Sequence, residues 1–105
     1  MGNFEDLEVY QRALEISVTI HKTTLQFPKI EQYALAGQMR RASKSICANV
    51  VEGFGKQRLM ALGSASEMRV WIKYAFTLGY IEQSMFNAWI DEYVVIAKIL
   101  SALRG

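Results

Sequence analysis

The residues best placed to do chemistry lie in one stretch, Gln38 to Gly53. Arg40, Arg41 and Lys44 form a basic cluster, and Asn49 and Glu52 stand one turn apart before a glycine. Cations at this density suit phosphates, because each neutralised phosphate adds sequence-independent, salt-dependent affinity. On a helix Arg41 and Lys44 share a face, while Arg40 points about 100° away. Lys56, Arg58, Arg69 and Lys73 extend the basic set. Two readings stand. One is a surface for RNA or DNA; the other is a solvated helix face that makes salt bridges between subunits. A continuous basic surface across subunits favours the first. Pairing of these cations with Glu8, Glu15 or Asp91 favours the second.

Asn49 and Glu52 fall on one helical face beside Ile46 and Val50. A carboxylate buried there is costly unless paired and hydrogen-bonded. Glu52 is therefore expected to meet an arginine or backbone amides of a neighbouring helix, and Asn49 to bridge helices. Ligand binding is the other reading of this polar pair.

The remaining chemistry is thin. Gly55-Lys56 has Val50 where a phosphate loop needs its leading glycine, and Gln57 where Ser or Thr should follow. His21, the only histidine, has no Cys or second His at metal spacing. It reads as a core or interface imidazole. Ser43, Ser45, Ser64 and Ser66 lack a nucleophile-elbow motif. The single Cys47 excludes an internal disulfide and reads as a small buried thiol. No catalytic, cofactor-binding or metal residue is assigned, and no cofactor is expected. The chain reads as non-enzymatic.

The chain has 105 residues, which suits one domain spanning 1–105. Hydrophobic residues make up 51% and mean hydropathy is +0.08, too apolar for a disordered chain. The net charge is only +2 but is unevenly spread. Residues 40–73 hold seven basic side chains against two acidic, an excess of five; elsewhere five face eight, a deficit of three. An acidic start, Met-Gly-Asn-Phe-Glu-Asp, is no signal peptide, and Asp6 breaks the myristoylation pattern. No apolar run is long enough to span a membrane. The expected location is cytoplasmic, with no membrane partner.

Four helices must position these groups. Helix one is predicted from Asp6 to Leu25. It carries two apolar stripes: Leu7, Tyr10, Leu14, Val18, His21 and Leu25 as the inner one, and Val9, Ala13, Ile16 and Ile20 as a second that must meet another helix or another chain. Phe27-Pro28 ends it. Helix two is predicted from Glu31 to Glu52, with Leu35, Met39, Ala42, Ile46 and Val50 inward and Gly53-Phe54-Gly55 as its stop. Helix three runs from about Leu59 to Leu78, with Leu62, Ala65, Met68, Ile72, Ala75 and Phe76 inward and Gly79 as its cap. Helix four runs from about Ser84, which can cap it, to Leu103, with Phe86, Trp89, Ile90, Tyr93, Ala97, Leu100 and Leu103 as its apolar face. Short connections make successive helices antiparallel, so the expected fold is all-α, an up-down-up-down four-helix bundle.

These pieces carry a resemblance. Phe4-Glu5-Asp6-Leu7 with Tyr10-Gln11, then Phe27-Pro28, Tyr33-Ala34-Leu35, Gln38-Met39-Arg40-Arg41-Ala42, Ser45-Ile46, Asn49-Val50-Val51-Glu52-Gly53, Gly63-Ser64 with Glu67, and Leu78-Gly79-Tyr80-Ile81 follow one another along nearly the whole chain. In this set the chain resembles the bacterial four helix bundle protein family, also called the 23S rRNA intervening-sequence proteins. The resemblance implies a left-handed bundle that assembles as a homopentamer. The family is similar to the accessory variability proteins of diversity-generating retroelements, which are pentameric, basic and associate with a reverse transcriptase and nucleic acid. It brings no catalytic residues. The chain departs from it once: about eight more residues, roughly 12 Å of helix, are expected between Glu52-Gly53 and Gly63-Ser64. Either helix three starts late or a disordered segment is missing there. The functional expectation is an oligomeric scaffold that binds nucleic acid or a nucleic-acid-processing protein through the basic face. The alternative is a protein-interaction or structural assembly without nucleic acid.

Overall fold

Small residues and self-satisfied hydroxyls decide which faces go inward. The computed structural model describes residues 4–52 and 55–103. It has four helices, α1 (Glu8–Thr24), α2 (Leu35–Val51), α3 (Lys56–Thr77) and α4 (Gln83–Ala102), with 3₁₀ turns at Phe4–Asp6 and Lys29–Glu31. Its extents, 44 × 23 × 20 Å, are those of helices about 10 Å wide packed two by two. The chain is an all-α four-helix bundle. Arg58 at the start of α3 reaches the Leu100 carbonyl at the end of α4, and Tyr80 after α3 reaches Glu31 before α2. Both contacts fit the up-down-up-down order.

The two stripes of α1 are exchanged relative to expectation. Val9, Ala13, Ile16 and Ile20 are buried, whereas Leu14, Val18 and Leu25 are exposed and His21 is half-buried. Leu7 and Tyr10 pack only partly on the core. The buried stripe is continued by Ser17 and Thr24, whose hydroxyls donate to the Leu14 and Ile20 carbonyls of the same helix at 2.8 and 2.7 Å. A hydroxyl that satisfies itself within the helix removes the penalty for facing the core. Small Val9 and Ala13 then allow close approach to the neighbouring helices.

The inward face of α2 is as expected: Leu35, Met39, Ala42, Ile46 and Val50 are all buried. On α3, Ala61, Ala65, Met68, Ile72 and Ala75 are buried, and Leu62 and Phe76 pack on their margin. On α4, Trp89, Tyr93 and Leu100 are joined by Ile96, fully buried and absent from the expected face.

Boundaries differ at three places. α2 begins at Leu35 rather than Glu31, because residues 29–34 form a 3₁₀ turn and further turns. α3 begins at Lys56, immediately after Gly55 at φ +71°, rather than at Leu59. α4 begins at Gln83 with Glu82 at the cap position, so Ser84 lies inside the first turn and does not cap it. The expected stop at Gly53-Phe54 lies outside the described residues. Gly79 does cap α3: at φ +83° its N–H donates to the Phe76 carbonyl at 3.0 Å, and Tyr80 N–H donates to Ala75 at 2.8 Å. This pair of bonds is a Schellman motif, which needs the left-handed backbone that glycine adopts without penalty.

Candidate functional site

The seven expected cations separate into three groups. Arg40 is a structural clamp: its Nη1 donates to Thr24 Oγ1 at 3.0 Å and its Nη2 to the Gln32 carbonyl at 2.9 Å. Gln32 Nε2 in turn donates to the Thr24 and Phe27 carbonyls, both at 3.0 Å. Glu31 joins this corner, accepting from Leu35 N–H at 3.3 Å and from the Tyr80 hydroxyl at 2.8 Å. The bond to Glu31 pushes the Tyr80 phenol above its ordinary pKa. One end of the bundle is thus stitched where α1 ends, α2 begins and α3 ends. Arg58 makes the second group. It is half-buried, its Nη1 donates to the Leu100 carbonyl at 3.3 Å, and its buried Nε has no partner among the described residues.

The third group is exposed: Arg41, Lys44, Lys56, Arg69 and Lys73. Arg41 Nη2 donates to Gln38 Oε1, and none of the five has a carboxylate partner among the described residues. They do not form one surface on a single chain. Lys44 borders a groove between α1 and α2 with Leu14, Val18, Lys22 and Cys47. Arg69 and Lys73 stand with Val70 and Tyr74 on the exposed face of α3, and Lys73 Nζ lies 5.5 Å from the ring centre of Phe86 on α4. The α1–α2 and α3–α4 seams are different sides of the bundle.

The polar pair is not buried within the chain. Glu52 is exposed and its carboxylate has no hydrogen bond or ion pair among the described residues, and Asn49 Nδ2 donates to the Ser45 carbonyl of its own helix at 2.8 Å. The expected meeting with a neighbouring helix is absent because Glu52 is the C-terminal cap residue of α2, past the packed turn. The link between α2 and α3 is instead a hydroxyl pair, Ser45 and Ser64, with oxygens 2.6 Å apart. Ser43 is fully buried and donates to the Arg40 carbonyl.

His21 lines the α1–α2 groove with Ser17 and Cys47, a groove that none of Ser43, Ser45, Ser64 or Ser66 lines. Its Nδ1 is buried without a partner among the described residues. Burial pushes the Cys47 thiol above its usual pKa, against a smaller opposing pull from Ser17. A thiol held protonated is a weak nucleophile. Among the described residues no group of three or more His, Cys, Asp and Glu is placed to hold a metal ion, and no helix is long and apolar enough to cross a membrane.

Sequence reasoning missed a groove of about 480 Å³ between α1 and α4. Glu8, Arg12 and Glu15 line it from α1, and Trp89 and Glu92 from α4. Arg12 spans it, donating from Nε to Glu8 and from Nη1 to Glu92, both at 2.9 Å. Those two bonds, Glu8 first, hold its guanidinium above the ordinary value. The i, i+4 spacing of Glu8 and Arg12 was a legible signal; the reach to Glu92, eighty residues away, was not.

No curated protein matches the chain. Among solved structures it is similar to a protein of unknown function from the S23 ribosomal protein family of Bacteroides thetaiotaomicron. The two share 20% identity over 90% of this chain and 92% of that one, with a TM-score of 0.78. At that identity the likeness shows the fold. The family model for 23S rRNA-intervening sequence proteins matches residues 5–102. Since the match covers nearly every described residue, the chain belongs to the 23S rRNA-intervening sequence protein family.

Proposed function

We propose that this protein is a non-enzymatic scaffold that works as a homo-oligomer. The observation that carries the reading is the apolar surface left on the single chain: Leu14, Val18 and Leu25 along α1 and its end, and Leu59, Met60, Val70, Tyr74 and Leu78 along α3 and its end, are each at least two-fifths exposed. Single exposed apolar residues are ordinary, but stripes of them on two helices mark surfaces that a partner covers. The family resemblance points to five copies. Light scattering coupled to size-exclusion chromatography, across a concentration series, tests it. A mass that is a multiple of 11.9 kDa is the expected result; a monomer throughout would sink the reading.

A second reading adds nucleic acid as the cargo of that scaffold. It is favoured by Arg41, Lys44, Lys56, Arg69 and Lys73, exposed and without carboxylate partners among the described residues. Repetition around an assembly would turn weak phosphate contacts into avid ones. Fluorescence anisotropy with structured RNA and duplex DNA should then show affinity that falls steeply with salt and is lost in Arg41→Glu/Lys44→Glu. Absence of binding at low salt by a folded, assembled protein leaves a protein partner as the cargo.

A further inference from the structure

Three surfaces among the described residues that combine apolar and charged side chains are sorted by their charges. The α3 ridge is formed by Val70 and Tyr74, each about half exposed, flanked by the exposed Arg69 and Lys73. The α1–α2 groove is apolar but flanked by Lys22 and Lys44. The α1–α4 groove holds Glu8, Glu15 and Glu92 against one cation, Arg12, with Ile16 and Trp89 also in its lining. Juxtaposed like charges oppose association across an interface, and opposite charges set its register. The α3 ridge of one copy is therefore repelled by the α1–α2 groove of another and matched by its α1–α4 groove.

We infer that the α1–α4 groove of each copy receives the α3 ridge of the next, with Tyr74 and Val70 entering the groove and Arg69 and Lys73 pairing with Glu8 and Glu15. Tyrosine suits the centre of such a contact, since it brings a large rigid apolar area and a polar tip. The α1–α4 groove has room for it, because α1 packs less closely on α4 than on α2. The contact is heterologous: one copy gives its ridge and offers its groove at a different place. Repetition of such a contact closes into a ring when the rotation allows and runs on as a filament when it does not. This inference rests on the scaffold reading and specifies the surfaces that build it.

Charge reversal tests it. Light scattering is read for the parent, for Arg69→Glu/Lys73→Glu, for Glu8→Lys/Glu15→Lys, for all four substitutions together, and for Tyr74→Ser, with circular dichroism to verify helicity in each. These side chains are surface groups, so folding should be retained. Each double variant is expected to dissociate, with an apparent Kd at least about 100-fold weaker. Tyr74→Ser should weaken assembly as well. The quadruple variant restores opposite charges across every contact and should reassemble. An assembled parent whose folded double variants stay assembled overturns this interface and leaves the scaffold reading intact. A folded quadruple variant that remains monomeric overturns it too. A monomeric parent overturns the scaffold reading itself.

Discussion

Replacing Arg40 by methionine is expected to lower unfolding free energy by about 2–3 kcal/mol, the range for removing a hydrogen-bonded charged group. In a domain of this size that is a fall in Tm of roughly 10–20 °C. Methionine keeps the apolar stem of the side chain, so the loss is assigned to the guanidinium. Two acceptors are orphaned together, Thr24 Oγ1 and the Gln32 carbonyl, which sit on different segments of the chain. Arg40→Lys should recover only part of the loss, because one ammonium cannot supply the two diverging N–H groups of a planar fork. Urea denaturation checks both variants; a loss below about 0.5 kcal/mol, within the range of ordinary surface substitutions, would show that the clamp is ornamental.

The second large effect concerns Tyr93, which is fully buried and whose hydroxyl has no hydrogen-bond partner among the described residues. Tyr93→Ala is expected to cost about 4 kcal/mol, the transfer and cavity cost of deleting a buried aromatic ring. Tyr93→Phe should instead stabilise by about 1 kcal/mol, since it removes a polar atom that burial leaves unsatisfied. The pH dependence separates the pair further. Burial pushes the phenol pKa far above its ordinary value, with Cys47 and Glu92 adding to the shift. The unfolded chain therefore loses this proton first, near its usual value of about 10. Below that pH the contribution is fully present; above it the native state binds more protons than the unfolded state, and stability falls as pH rises. The phenylalanine variant lacks this slope, so its advantage should widen in alkali. Thermal melts at neutral pH and above about pH 10 check this, and a destabilised phenylalanine variant would mean that the hydroxyl has a partner.

The fold was legible where one residue type carries the signal. The α2 stripe of Leu35, Met39, Ala42, Ile46 and Val50 has a single apolar solution, and all five are buried. Gly79 stands at the one place where the end of α3 needs a positive φ. The orientation of α1 was not legible, because hydropathy ranks Leu14 and Val18 above Ser17 and Thr24. What buries the latter two is a hydroxyl bond to their own helix. The basic set was legible as a list but not as a surface. Arg40 and Arg58 reach carbonyls 8 and 42 residues away in sequence, and no periodicity encodes such a reach. Glu52 was misread for a simpler reason: its neighbours Ile46 and Val50 are core residues, but a cap position lies beyond the last packed turn.

The stitched corner also constrains the order in which the bundle comes together. Its bonds among Thr24, Gln32 and Arg40 span only 8 to 16 residues, whereas the Tyr80 bond to Glu31 spans 49. Closing the longer loop costs about 1 kcal/mol more in chain entropy. The α1–α2 half can therefore fasten itself before α3 arrives, and Tyr80 then docks on a carboxylate already held in place. A corner of this kind acts as a latch on a helical hairpin, and it biases the chain toward building its two halves in sequence order.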